Sequence, residues 1–390
     1  MVDTGSAERK IDDIEVLRAV AVTFVVLHHI NGNLWPGAVA GGTRFFEFFG
    51  GWVGVDLFFA VSGFVIARSL LPQIRAARSM RGFWTAGVSF WIRRAFRLLP
   101  SAWFWLAAVL VLQVLFNDSG VFGTLRANIE ATVAAVLQVA NIRFAWIFGR
   151  AEPGTSFVYW SLSLEEQFYI VFPILAFYAR RYLPWLLAVA LLVQFPLARG
   201  LFAMAFRTDA ICWGVLIALL GGYGLDRKMT AIAMRFTVGT RVLVCSALVG
   251  LPLLGGDLCA NFAQKIGCIA FASALLVWFA SRDAGCITEP LPAPIARIAV
   301  WLGASSYAIY LIHIPAYFIV REAAFRAGIR VADFPWLSVL AAAMLILALA
   351  EVNYRWLESP LRRHGHRVAQ KFGEARATAA MVTEESPHHA

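Results

Sequence analysis

Apolar runs recur along the chain, separated by short polar stretches. Ten stand out, by residue number: 14–32, 48–67, 99–116, 162–179, 183–198, 208–222, 242–258, 266–280, 298–320 and 334–357. A helix rises about 1.5 Å per residue, so about 20 apolar residues match the hydrocarbon core of a bilayer. Several runs fall short of that, which a bundle tolerates. The pattern predicts an all-α fold: a polytopic integral membrane helical bundle of about ten transmembrane helices. An eleventh stretch, 125–147, is apolar only from Ala131 to Ala140 and is flanked by Arg126, Asn128, Glu130, Asn141 and Arg143. It reads as an interfacial or re-entrant helix, not a span.

Loop charge sets the expected orientation. With ten spans and both termini cytoplasmic, most of the 34 basic residues fall on the cytoplasmic side, as the positive-inside rule requires. If 125–147 also crossed, every later loop would change sides and the bias would mostly vanish. The expected location is the cell membrane, multi-pass, with both termini cytoplasmic. Residues 1–360 form one transmembrane domain in this reading. Residues 361–390 are basic, then small and polar, and predict a disordered cytoplasmic tail. The longest inner loop is expected at 68–98, rich in arginine, and the longest outer loop at 117–161. No small-residue cleavage site follows the first apolar run, so that run is expected to stay as a helix.

Composition narrows the classes. The chain is 60% hydrophobic and 15% charged, against about 45–50% apolar for ordinary soluble domains. The net charge of +10 is spread over short loops, a distribution of membrane topology and not of nucleic-acid binding. The five cysteines form no CxxC pair, so neither a disulfide framework nor a metal site is expected. Nothing in the pattern speaks to oligomeric state.

The polar groups inside apolar runs carry the candidate chemistry, because an ionisable group in a membrane helix is costly. Arg18 and His29 are eleven residues apart. Eleven steps of about 100° return a helix to within roughly 20° of its start, so both share one face, about 16 Å apart along the axis. His28 points elsewhere. Arg93, Arg94 and Arg97 precede the third run; guanidinium groups match phosphate oxygens, although lipid anchoring also fits. Trp160, Ser161, Glu165 and Glu166 open the fourth run, with Ser161, Glu165 and Tyr169 aligned at i, i+4, i+8. Asp56 lies mid-run and demands a partner, and Ser62 follows it. In the ninth run Ser306, Tyr310, His313 and Tyr317 form one polar stripe.

Taken in order, these segments resemble the membrane-bound acyltransferase family 3, whose members O-acylate glycans and related acceptors. The likeness rests on Arg18-x10-His29, on Gly54-Val55-Asp56-Leu57-Phe58-Phe59 with Ser62-Gly63-Phe64, and on Arg94-x-x-Arg97. It continues through Trp160 to Tyr169, Arg207-x-Asp209, Ser306 to His313 and Glu358-x-Pro360. The resemblance implies an O-acyltransferase with no tightly bound cofactor and no metal. Acyl-CoA, most often acetyl-CoA, is the implied co-substrate. The implied acceptor is a hydroxyl of a cell-surface glycan or lipid-linked saccharide. On that reading His29, Glu165 and Arg18 are catalytic, and Glu165 orients the histidine or contacts the acceptor. Arg93, Arg94 and Arg97 bind the CoA phosphates. Asp56, Ser62, Trp160, Ser161, Glu166, Tyr310 and His313 surround the substrates. Whether His29 acts as a base or becomes acetylated stays open. The alternative is a polytopic transporter or exporter of an envelope polysaccharide pathway, against which the lack of internal repeats counts.

Overall fold

The computed structural model describes residues 10–36, 42–221 and 223–384. Among them there are helices and loops and no β-strand. Helix α1 (Asp12–His29) lies at the centre, where Leu17, Ala21 and Val25 have no solvent exposure. It ends at His29, and the chain turns at Gly32, whose φ of 83° suits a residue without a side chain. After α2 (Gly42–Phe48) come two long helices, α3 (Gly54–Ala76) and α4 (Met80–Leu115). Two short helices, α5 (Leu125–Val136) and α6 (Ala140–Ile147), cover the His29 end. The chain re-enters as α7 (Tyr159–Ala179) and α8 (Leu183–Gln194), with a break at Arg180, where φ is 28°.

Next are α9 (Leu201–Ala205), α10 (Asp209–Leu220), α11 (Gly224–Arg235) and α12 (Thr237–Gly255). The last set is α13 (Lys265–Ala280), α14 (Ala293–Ala304), α15 (Ser306–Arg326), α16 (Pro335–Asn353) and α17 (Ser359–Glu384). Small residues let the central helices touch backbone to backbone, as membrane helices do without a hydrophobic drive between them. A Cβ on Gly63 of α3 would sit 2.3 Å from the Ile211 carbonyl oxygen of α10, and one on Gly214 of α10 would sit 2.1 Å from that of Ala60.

Seven helical stretches among the described residues are long and apolar enough to cross a membrane. The protein is a multi-pass helical membrane bundle. The expected ten spans map onto these differently. The runs 162–179 and 183–198 fall within one stretch, Tyr159–Gln194, while α13 and α14 are shorter apolar helices. Helix α1 carries Asp12, Asp13, Glu15 and Arg18 and is not among the seven. The stretch 125–147 is two helices broken at Gln138 (φ 57°), not one. It is tied down by polar contacts: Glu152 accepts from the Thr124 amide (2.8 Å) and hydroxyl (2.7 Å), and Arg143 donates to the Pro153 carbonyl (2.8 Å).

Two expectations are corrected. The arginine-rich loop 68–98 is helical almost throughout: α3 runs to Ala76, and Ser79 caps α4 by accepting from the Gly82 amide (3.2 Å). The arginines are helix surface, not loop. The tail, expected to be disordered, is helical as far as Glu384, and residues 385–390 lie outside the described residues. Its order comes from packing, since Gly365 and Ala369 are buried against α4.

Candidate active site

Helices α1, α3, α4, α7 and α15 enclose a cavity of about 90 Å3. Its polar wall includes Arg18, Ser62, Arg94, Arg97, Glu165 and Tyr310. Five of these six were picked by charge or by helical spacing, from four segments far apart in the chain, and Ser62 by its place after Asp56; packing brings them together.

Glu165 organises the middle of the cavity. Its carboxylate accepts from both the Ser62 hydroxyl and the Tyr169 hydroxyl, and these two hydroxyls are 3.1 Å apart. The Glu165–Tyr169 pair is the i, i+4 relation of one helix face. The Arg94 guanidinium lies over the Tyr169 ring, 5.4 Å from its centroid, and over Phe90 at 5.6 Å. The Trp91 indole donates to the Tyr169 carbonyl (2.9 Å) and fixes α4 against α7. The bonds of Glu165 go to Ser62 and Tyr169 and not to His29. At the Arg18 end, Arg18 pairs with Glu15 (3.7 Å), and Arg97 shares the wall.

Tyr310 partitions the site. Its hydroxyl meets the Ser161 hydroxyl at 2.6 Å and donates to the Val158 carbonyl (3.1 Å). Below it is the cavity. Beyond it, toward the end of α1, is a histidine pair. The His313 and His29 ring centroids are 5.1 Å apart, and the Tyr310 and His313 ring centroids 5.6 Å. Neither histidine lines the cavity.

The hydrogen bonds assign the ring protons. His313 Nδ1 is 2.6 Å from the Tyr310 carbonyl oxygen, which can only accept, so this nitrogen carries hydrogen. Neutral His313 then has a lone pair on Nε2. His29 Nδ1 faces that lone pair at 3.1 Å and the Val25 carbonyl at 3.0 Å. It therefore donates, and His29 Nε2 is left as the acceptor. Phe157 closes one side of His29, with ring centroids 5.5 Å apart. Tyr317, the last residue of the polar stripe, donates to the Val26 carbonyl (2.6 Å) and locks α15 to α1 one turn before His29.

A family model described as an acyltransferase domain matches residues 11–350. The chain belongs to this acyltransferase family. The peptidoglycan O-acetyltransferase OatA of Listeria monocytogenes is 26% identical over 400 residues, which is 93% of this chain and 57% of that protein. The O-acetyltransferase OatA of Staphylococcus aureus (strain NCTC 8325) is 24% identical over 406 residues, 96% of this chain and 61% of that protein. The chain thus spans about three fifths of the length of these relatives. No solved structure matches it significantly.

Other residues expected at the acyltransferase site lie outside the cavity. Asp56 is 1% exposed and takes two bonds from Arg207, at 2.9 and 3.0 Å. The Arg207 guanidinium is sandwiched between Trp52 (5.3 Å) and Trp160 (4.9 Å). Asp56 and Trp160 are therefore committed to a buried ion pair that joins α3 to the start of α10. Asp209 is held likewise by Arg199, with both bonds at 2.5 Å. Glu166 lines a smaller gap of about 20 Å3, beside Leu99, Ala102 and Leu106, that it shares with Glu165, and it is not among the residues of the main cavity. Arg93 faces α17 and not the cavity. Sequence reasoning passed over Tyr169 and Tyr307 as site residues. The i+4 spacing from Glu165 marks the first; the second, whose hydroxyl donates to the Leu98 carbonyl (2.8 Å), is signalled only by its place in the Ser306 to His313 segment.

Proposed function

We propose that the protein is an integral membrane O-acyltransferase. It moves an acyl group, acetyl by analogy with the relatives, from acyl-CoA to a hydroxyl of a cell-surface or lipid-linked glycan; peptidoglycan is the acceptor named for the Listeria relative. The observation that carries this reading is the axial order of the site. Guanidinium groups lie at one end of the cavity, the Ser62–Glu165–Tyr169 cluster lies in the middle, and a histidine with a free Nε2 lone pair lies beyond Tyr310. The basic residues gathered at the arginine end support a cytoplasmic position for that end, where nucleotide donors are made.

The cavity is small. Sites for whole small molecules run to about 300–1,000 Å3, so about 90 Å3 admits a slender arm and no nucleotide. The nucleotide phosphates therefore stay at the arginine mouth while the pantetheine arm enters. Past Tyr310 the thioester meets the acceptor. The acceptor oxygen attacks the thioester carbonyl carbon and His29 Nε2 takes its proton. The C–S bond then breaks, and the sulfur leaves as the CoA thiol with the proton from His29. The Nδ1–H bonds to Val25 and His313 keep the ring in the tautomer this needs.

The test is a strain lacking the gene, complemented with the wild type or with His29→Ala. Ester-linked acetate released by mild alkali from surface glycans is then measured by mass spectrometry. Acetate restored by the wild type and not by His29→Ala is expected. Equal acetate with both would overturn the assignment of His29, and equal acetate with and without the gene would overturn the function.

A further inference from the structure

The arginine end of the cavity meets a helix that the scheme above leaves unused. Helix α17 runs antiparallel to the first half of α4. His364 lies against Phe96 with ring centroids 5.3 Å apart, and a Cβ on Gly365 would lie 2.4 Å from that of Phe96. Further along, Ser89 donates to the Ala369 carbonyl (3.4 Å) and Arg81 to that of Arg376 (3.5 Å). This register sets Arg362 and His366, four apart on α17, against Arg93 and Arg97, four apart on α4. His366 lies in the field of Arg93, Arg94, Arg97 and Arg362.

Cations four apart on one helix repel; Arg93 and Arg97 are such a pair on α4, and α17 brings the Arg362 guanidinium against them. Glu358 is the buried carboxylate set among them, 2% exposed, near Arg97, Arg18, Arg362 and Lys10. Glu15 pairs with Arg18 (3.7 Å), and Glu358 alone faces the remaining cations Arg97, Arg362 and Lys10. One oxygen of Glu358 and the buried Nε of Arg97 have no hydrogen-bond partner. An excess of guanidinium groups beside the mouth of a cavity too narrow for a nucleotide calls for an anion bearing several oxygens.

We propose that α17 completes a phosphate-binding site, in which Arg362 joins Arg93 and Arg97 around the phosphates of the donor nucleotide. This rests on the acyl-CoA reading above. The same chemistry is offered by anionic lipid headgroups, and the test separates the two sources.

CoA binding is measured by calorimetry on the full chain in nanodiscs of phosphatidylcholine alone and of phosphatidylcholine with phosphatidylglycerol. Arg362→Gln is expected to weaken CoA binding about ten-fold, the scale of one lost charge-assisted contact, in both kinds of disc. Arg363→Gln, on the exposed face of α17, is expected to bind CoA as the wild type does. Thermal melting shows that each variant is folded. Unchanged CoA affinity in Arg362→Gln would overturn the proposal. A weakening seen only when phosphatidylglycerol is present would also overturn it, in favour of a lipid site. Failure of the wild type itself to bind CoA would refute the donor reading first, and this inference with it.

Discussion

The His29–His313 pair makes a quantitative prediction. His313 Nε2 is one of two acceptors for His29 Nδ1–H, at 3.1 Å, and the Val25 carbonyl at 3.0 Å is the other. Truncating His313 to Ala removes one neutral hydrogen bond and leaves the second. Such a bond is worth about 0.5–1.5 kcal/mol net, which at about 1.36 kcal/mol per decade is roughly two- to ten-fold in rate. Removing His29 itself deletes the base, a loss of about 10²–10⁴. The assay is acetyl transfer from acetyl-CoA by purified enzyme in lipid discs, with kcat expressed per folded molecule. His313→Ala should lower kcat two- to ten-fold with little change in the KM for acetyl-CoA. His313→Gln, which returns an acceptor near the old Nε2, should recover most of it. In a His29→Ala background the His313→Ala change should cost nothing further, because a positioning residue has no one left to position. A full extra factor in the double variant would show that His313 acts on substrate independently. A loss equal to that of His29→Ala would show that it is itself the base.

Four further outcomes are expected. Replacing Arg94 and Arg97 together by Gln should raise the KM for acyl-CoA far more than that for the acceptor, and equal effects on both would favour a lipid-anchoring role. Asp56→Asn should sharply reduce melting temperature and yield, because it leaves the Arg207 guanidinium buried against half a partner. Breaking a buried pair costs about 3–5 kcal/mol, and a stable variant with altered KM instead would return Asp56 to the substrate site. Cysteines placed at the exposed positions Ala151 and Gln370 should label from opposite sides of intact cells, and the same sidedness at both would refute the orientation. Glu130 at the His29 end is exposed, and bonds from Arg126 and Arg143 hold its carboxyl below the usual carboxylate range. A depressed folded value means its contribution is present above the unfolded pKa and lost as pH falls through the folded one. Hydrogen exchange in 140–147 should therefore rise on acidification through the carboxylate range, after correction for intrinsic rates, and a flat profile would remove Glu130 from that role.

What was legible in the chain divides by range. Relations within one helix were readable from period alone. The shared face of Arg18 and His29, the Ser161–Glu165–Tyr169 row and the Ser306–Tyr310–His313–Tyr317 stripe all follow from about 3.6 residues per turn. The unpaired look of Asp56 was also readable, but its partner was not. Arg207 is 151 residues away, and nothing in either apolar run says which helices cross at small residues such as Gly63 and Gly214. The same gap explains Glu165, whose bonds go to Ser62 on α3 and not to His29 on α1. The tail misled for the opposite reason. Its charges read as solvated chain, because packing through Gly365 and Ala369 leaves little apolar signal. A helix docked by small residues under a coat of arginine looks, by composition, like one that does not dock. That is why the motifs reach only the first turn of α17, at Pro360, while the charge at Arg362 beside the phosphate mouth went unread.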